Sequence, residues 1–113
     1  MHENRRNPRY RAMCRAHIDD VLEGNAVLKN LSITGCCLES SVSSGNLKTN
    51  QKYRIDIEPE VSSHIADFEL EVECRWIRKK NNIYEIGFQI TASPRGKSFQ
   101  SYVDYLAYYS SLE

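Results

Sequence analysis

An arginine-rich segment near the start of the chain is the first candidate for binding chemistry. It runs Arg5-Arg6-Asn7-Pro8-Arg9, and twenty-one residues after Arg9 comes a polar segment, Asn30-Leu31-Ser32-Ile33-Thr34-Gly35. A guanidinium group forms paired hydrogen bonds with phosphate oxygens or with O6 and N7 of guanine. The polar segment would add side-chain hydrogen bonds from a tight turn. Together the two segments predict a site for an anionic ligand that carries guanine.

Each segment also has a simpler structural explanation when it is taken alone. A basic terminus is commonly a solvated tail, and terminal arms are ordered only when something holds them in place. Asn, Ser and Gly are the usual residues of a turn between two strands. The functional interpretation therefore depends on the combination of the two segments.

The distribution of charge separates a basic arm from a mildly acidic body. The 113-residue chain has a formal net charge of zero, yet residues 1–15 contain five arginines and one glutamate, so residues 16–113 carry the opposite net charge of −4. A basic, aromatic sheet face of the kind that binds single-stranded nucleic acid is therefore not expected. We expect no DNA or RNA partner.

Composition places the chain in the class of single-domain globular proteins. Apolar residues make up 41% and charged residues 27% of the sequence, which is typical of a folded domain. The cysteines show neither a metal-site spacing nor a disulfide framework, and no apolar run is long enough to cross a membrane. We therefore predict a cytoplasmic protein that does not insert into membranes, is not an enzyme and has neither a metal nor a cofactor.

The elements that must position the two segments are mostly strands. Alternation of apolar and polar residues is clearest from Phe68 to Trp76 and again from Tyr84 to Ile90, with a turn predicted at residues 79–82. Shorter strands are predicted at Tyr10–Ile18, Ala26–Leu31 and Gly35–Glu39, and another around Tyr53–Ile57 is closed by Pro59. Residues 40–50 are predicted to be a loop.

A single helix is predicted at the end of the chain. Over residues 95–111 the apolar side chains recur at helical spacing, and they are Phe99, Tyr102, Val103, Leu106 and Tyr109. Six short strands followed by a helix favour an all-β fold, an antiparallel barrel whose closed sheet has no free edges. The tyrosine-rich helix end leaves the protein either a monomer or a weak homo-oligomer.

The two polar segments together resemble the paired signature of the PilZ domain family. That signature is R-x-x-x-R followed about twenty residues later by [D/N]-x-S-x-x-G, matched here by Arg5, Arg9, Asn30, Ser32 and Gly35. The segment Tyr84-Glu85-Ile86-Gly87-Phe88, the tryptophan in the preceding strand and the C-terminal helix are also similar. The resemblance covers nearly the whole chain.

The resemblance implies a single domain that binds the bacterial second messenger cyclic di-GMP. It would consist of a flexible basic arm (1–9), a six-stranded antiparallel barrel (10–91) and a C-terminal helix (95–111). Arg5 and Arg9, with Arg6 as an accessory, would contact phosphate and guanine, and Asn30, Ser32 and Gly35 would complete the site. Asn30 replaces the commoner aspartate, which predicts weaker binding, and Asn4 before the motif favours one ligand copy over two.

Trp76 has two interpretations. Its parity matches Phe68, Leu70, Val72 and Cys74, which predicts a core side chain. Similar proteins place an aromatic residue beside the guanine, which predicts a stacking role instead. The flanking Arg75 and Arg78 are predicted to be solubilising charges or rim contacts of the site.

Ligand binding would order the arm and change the surface that an effector protein recognises, in motility, adhesion or exopolysaccharide control. The alternative is a ligand-independent PilZ-like interaction module in pilus or motility assembly. The intact arginine and Asn/Ser/Gly motifs favour the receptor.

Overall fold

Six strands and one helix form the regular framework of the protein in a computed structural model, which describes residues 8–18, 26–41, 46–92 and 95–112. The strands are β1 (Tyr10–His17), β2 (Ala26–Leu31), β3 (Gly35–Ser40), β4 (Lys52–Glu58), β5 (Phe68–Lys80) and β6 (Ile83–Ala92), and the helix is α1 (Ser98–Ser110). The strands close into a barrel in the order β1-β2-β3-β6-β5-β4, and every neighbouring pair is antiparallel. The predicted six-stranded barrel with a C-terminal helix is confirmed.

The barrel interior is filled by the alternate side chains that the sequence pattern marked as apolar. Several of them are fully buried: Leu28, Leu38, Ile55, Leu70, Val72 and Ile86. Burying one such side chain contributes about 1.5–3 kcal/mol to the hydrophobic driving force. All four cysteines are free and buried.

Helix α1 packs on the barrel through its aromatic residues. Phe99 and Tyr102 each lie with their ring centroid 5.9 Å from that of Phe68 on β5. Tyr102 is fully buried, and its hydroxyl donates a hydrogen bond to Oε1 of Glu60 at 2.7 Å. The helix is thus anchored by an apolar contact whose single polar tip has a partner.

Two boundaries differ from the sequence prediction for reasons of backbone geometry. The turn between β5 and β6 contains only Asn81 and Asn82, with φ of 52° and 66°, which suits a two-residue hairpin turn. Helix α1 begins at Ser98 instead of residue 95, because Gly96 has a left-handed φ of 80° that a helix does not accommodate. Tyr109, predicted on the apolar stripe, is half exposed.

The predicted core position of Trp76 is wrong. The pairing of β5 with β6 shifts register between Cys74, which faces Phe88, and Trp76, which faces Gly87. Such a bulge inserts one residue and reverses the side on which later side chains emerge. Cys74 is completely buried while Trp76 remains partly exposed, outside the core.

Candidate functional site

The turn between β2 and β3 is organised by Ser32. Its hydroxyl oxygen accepts hydrogen bonds from the backbone N–H groups of Thr34 and Gly35, each at 3.1 Å. Its own N–H donates to the Gly35 carbonyl at 2.9 Å. Ser32 is fully buried, so its side chain holds the turn in shape from within.

Gly35 stands where no side chain fits. A Cβ at this position would lie 2.6 Å from the Phe88 carbonyl oxygen on β6 and 3.3 Å from Nη2 of Arg9. The first contact is the close approach that pairs β3 with β6. The second shows that the Arg9 guanidinium lies directly over the turn, so the two motifs, far apart in sequence, meet at this point.

Arg9 and Trp76 form walls of one small cleft. The cleft has a volume of about 260 Å³ and is lined by Arg9, Thr34, Arg75, Trp76, Gly87, Phe88 and Gln89. Two cationic side chains and a large aromatic ring thus share a concave surface, and none of the described residues lining it is acidic. An anionic group and a planar base would both find suitable partners here.

The Trp76 ring lies across Gly87 of the neighbouring strand. A Cβ at Gly87 would lie 2.2 Å from Cε2 and 2.3 Å from Nε1 of the indole. Cζ of Arg78 lies over the same ring, 5.0 Å from its centroid. The absence of a side chain at Gly87 therefore allows the indole to lie flat on the barrel exterior, beside the cleft.

Asn30 presents a buried acceptor without a donor among the described residues. It lies on β2 opposite Cys37, just after a register irregularity between Leu28 and Asn30. Its Oδ1 is buried, and no residue that the structure describes donates a hydrogen bond to it. Leaving such an oxygen unsatisfied costs about 1–3 kcal/mol. Asn30 does not itself line the cleft.

Burial keeps the thiols beneath the turn neutral. Cys36 is fully buried, and loss of solvation, followed by the effect of the neighbouring Cys37, raises its pKa to about 12, while the Arg9 charge acts in the opposite direction. The pKa of Cys37 is raised by burial as well. Neither thiol therefore places a negative charge beside Arg9.

Arg5 and Arg6, the other predicted arginines, lie outside the described residues. Conversely, the sequence interpretation missed Thr34, Gly87 and Gln89 as cleft residues. Thr34 stands inside the recognised motif, and Gly87 was part of the segment quoted for the family. Their position beside the cleft would have followed from the pairing of Trp76 on β5 with Gly87 on β6. The bulge hides that pairing from the sequence pattern.

Arg75 proves to be a cleft residue, and its Nη1 donates to Oε2 of Glu73 at 2.7 Å.

Across the described ranges, no three His, Cys, Asp or Glu side chains are grouped to hold a metal ion. No helix in the described part of the chain is long and apolar enough to span a membrane.

Comparison with solved structures shows the same fold in several other chains, among them the following three. The Bacillus subtilis inhibitor of motility, MotI/DgrA, gives a TM-score of 0.81 at 16% identity, over 99% of this chain and 53% of that one. Escherichia coli YcgR in complex with c-di-GMP gives 0.70 at 14%, over 97% and 49%. The PilZ domain of E. coli YcgR with c-di-GMP gives 0.66 at 14%, over 96% and 95%. The chain thus spans about half the length of the first two proteins.

No curated protein sequence matches the chain significantly. The family model of the PilZ domain, in contrast, matches residues 3–107. That match extends over nearly the whole sequence and agrees with the barrel, and the chain belongs to the PilZ domain family.

Proposed function

We propose that this chain is a non-enzymatic receptor for cyclic di-GMP that binds its ligand at the cleft beside the β2–β3 turn. The observation that carries the proposal is the position of the Arg9 guanidinium over Gly35, on the wall of the cleft that Trp76 also lines. Two structures with the same fold, those of YcgR, contain c-di-GMP. The proposed ligand has two guanines and two phosphates, which suit the chemistry of this surface.

Each described residue has a distinct proposed role. Arg9 binds phosphate oxygens or the O6/N7 edge of guanine through paired hydrogen bonds. Trp76 offers a face for base stacking, which contributes about 1–3 kcal/mol in nucleic-acid complexes. Asn30, which lies outside the cleft, accepts a hydrogen bond from a guanine N–H at its Oδ1, for which the described residues supply no donor. Ser32 acts indirectly by holding the turn, because its hydroxyl is already occupied by two backbone N–H groups.

The arm is the proposed moving part. Within a single domain, residues 1–9 act as the ligand-binding arm on the six-stranded barrel, β1 to β6, which is followed by helix α1 (Ser98–Ser110). Arg5 and Arg6 join Arg9 on the ligand and order the arm, against an entropic cost of about 1–2 kcal/mol per residue. The resulting surface is read by an effector protein, in motility, adhesion or exopolysaccharide control.

Calorimetric titration with cyclic di-GMP tests this function. The wild-type chain should bind with micromolar or tighter affinity, and Arg9→Ala should weaken binding at least about tenfold, because a charge-assisted hydrogen bond contributes about 1.5–3 kcal/mol. Arg5→Ala should do the same. Arg15→Ala is the matched control, since Arg15 is an exposed arginine on β1 that does not line the cleft.

Cyclic di-AMP is the matched ligand control, because adenine lacks the O6 acceptor. Absence of binding heat from the wild-type chain at high concentrations of cyclic di-GMP would overturn the proposal. A ligand-independent interaction module would then be the better hypothesis for the function of this chain.

A further inference from the structure

Glu85 on β6 is a buried carboxylate that the proposed function has not used. The residue is only 6% exposed. Its Oε1 accepts a hydrogen bond from Nε of Arg78 at 2.8 Å, and its Oε2 accepts one from Nζ of Lys29. These hydrogen bonds, Lys29 first and Arg78 second, hold the pKa of Glu85 below its usual range. The carboxylate is therefore ionised at neutral pH.

Glu85 is the centre of an ionic network across four adjacent strands. Lys29 on β2 also pairs with Glu39 on β3, with Nζ 3.1 Å from Oε1. We call Lys29, Glu39, Glu85 and Arg78 the charge belt; it follows the barrel order β2-β3-β6-β5. One end adjoins Asn30 in sequence, and the other contacts Trp76. The belt thus runs from the strand that carries Asn30 to the ring of Trp76.

The contact with Trp76 depends on Arg78 being held in one place. The Arg78 side chain is 65% exposed, whereas that of Glu85 is 7% exposed. An exposed arginine that nothing else holds gains little free energy from a cation–π contact or a surface ion pair, because its side chain is free to reorient in water. Hydrogen bonding to a buried carboxylate removes much of that freedom.

We propose that Glu85 is a positioning residue of the ligand site, which fixes Arg78 over the indole of Trp76 and so keeps the ring flat on Gly87 at the edge of the cleft. This inference rests on the proposed function, because the ring matters to binding only if the cleft holds the ligand. It also assigns Arg78 a role beyond that of a solubilising surface charge.

The single tryptophan of the chain provides a readout that does not need the ligand. Acrylamide quenching of Trp76 fluorescence should increase at least about twofold in Glu85→Gln and in Arg78→Met, because the ring loses its fixed cation. Arg78→Lys should lie between Arg78→Met and wild type. Glu69→Gln is the matched control, since Glu69 is an exposed carboxylate on β5 that pairs with Arg54 instead.

Binding of cyclic di-GMP should weaken by about two- to fivefold in Glu85→Gln and in Arg78→Met. Because Glu85 acts through Arg78, the double variant should be no worse than Arg78→Met alone. A general structural role of Glu85 would instead give additive losses. Thermal unfolding of each variant would show whether the barrel remains folded.

The two proposals fail in different ways. If the wild-type chain gives no binding heat, the receptor function fails, while the quenching experiment still reports on the Trp76 position. If the wild-type chain binds and Glu85→Gln leaves both quenching and affinity unchanged, the positioning role of Glu85 is wrong. Additive effects in the double variant would also overturn it.

Discussion

Two of the clefts on the described surface of the barrel differ in both size and charge. The larger, about 540 Å³, is lined by His17, Asp56, Glu58, Asp67, Phe68 and Glu69. The smaller, about 260 Å³, contains Arg9, Arg75 and Trp76. The larger cleft has four carboxylates and would repel an anionic nucleotide, whereas the smaller one has two guanidinium groups. Charge and the convergence of motifs, and not volume, identify the candidate site.

Reversing the charge of the smaller cleft should have the largest effect on ligand binding. Arg9→Glu replaces a bidentate donor by an anion and gives this cleft the character of the larger one. We expect affinity for cyclic di-GMP to fall by about a hundredfold or more, since charge-assisted hydrogen bonds are lost and repulsion is added. Calorimetry measures the change, with Arg15→Glu as control, since Arg15 is an exposed arginine on the adjoining strand β1 and does not line the cleft. Retained affinity in Arg9→Glu would exclude the smaller cleft.

Filling the space above the turn should affect both the fold and the site. In Gly35→Ala the new methyl group would meet the Phe88 carbonyl oxygen at 2.6 Å, so β3 and β6 must move apart. We expect the free energy of unfolding to decrease by about 1–3 kcal/mol, as for other overpacked sites. Urea denaturation measures the decrease, and ligand affinity should fall with it because Arg9 also loses its place. Unchanged stability would contradict the close approach.

Removing the aromatic wall should have a smaller effect. Trp76→Leu deletes the stacking face and should weaken cyclic di-GMP binding about tenfold, given the usual contribution of base stacking. Trp76→Phe retains an aromatic face and should recover part of the loss. The loss of stability in both variants should be modest, because the indole lies on the exterior of the barrel and its removal leaves no cavity in the core. Equal affinities for the Leu and Phe variants would argue against stacking.

Changing the larger cleft should leave binding almost unaltered. Glu58→Gln and Asp67→Asn each remove one carboxylate from its wall without touching the smaller cleft. We expect less than about a twofold change in affinity, because neither residue lines the smaller cleft and salt screens the charges of exposed side chains. A loss of affinity as great as that of Trp76→Leu would indicate that the ligand binds in the larger cleft.

The sequence predicted the framework well because the barrel follows local rules. Alternation marked β5 and β6, helical spacing marked α1, and Ser32 and Gly35 marked the turn. Such rules could not predict that Trp76 lies outside the core, because one bulge after Cys74 reverses the parity on which the core prediction rested. A register shift depends on pairing between strands and leaves no trace in the alternation itself.

The site was predicted as a set of residues but not as an arrangement. The motif spacing predicted that Arg9 and Gly35 belong to one site, and the structure shows them adjacent. The occupation of the Ser32 hydroxyl by the turn and the contact of Glu85 with Arg78 and Lys29 depend on three-dimensional geometry. Lys29 and Glu85 are 56 residues apart in sequence, so no local pattern predicts that they pair.

Amide chemical shifts during a titration with cyclic di-GMP would show where the ligand binds, because they report on both clefts in one experiment. We expect the largest changes at Thr34, Gly35, Gly87 and the indole N–H of Trp76, while Asp56, Asp67 and Glu69 remain nearly unchanged. Largest changes around Asp56 and Asp67, with the β2–β3 turn unaffected, would contradict this expectation.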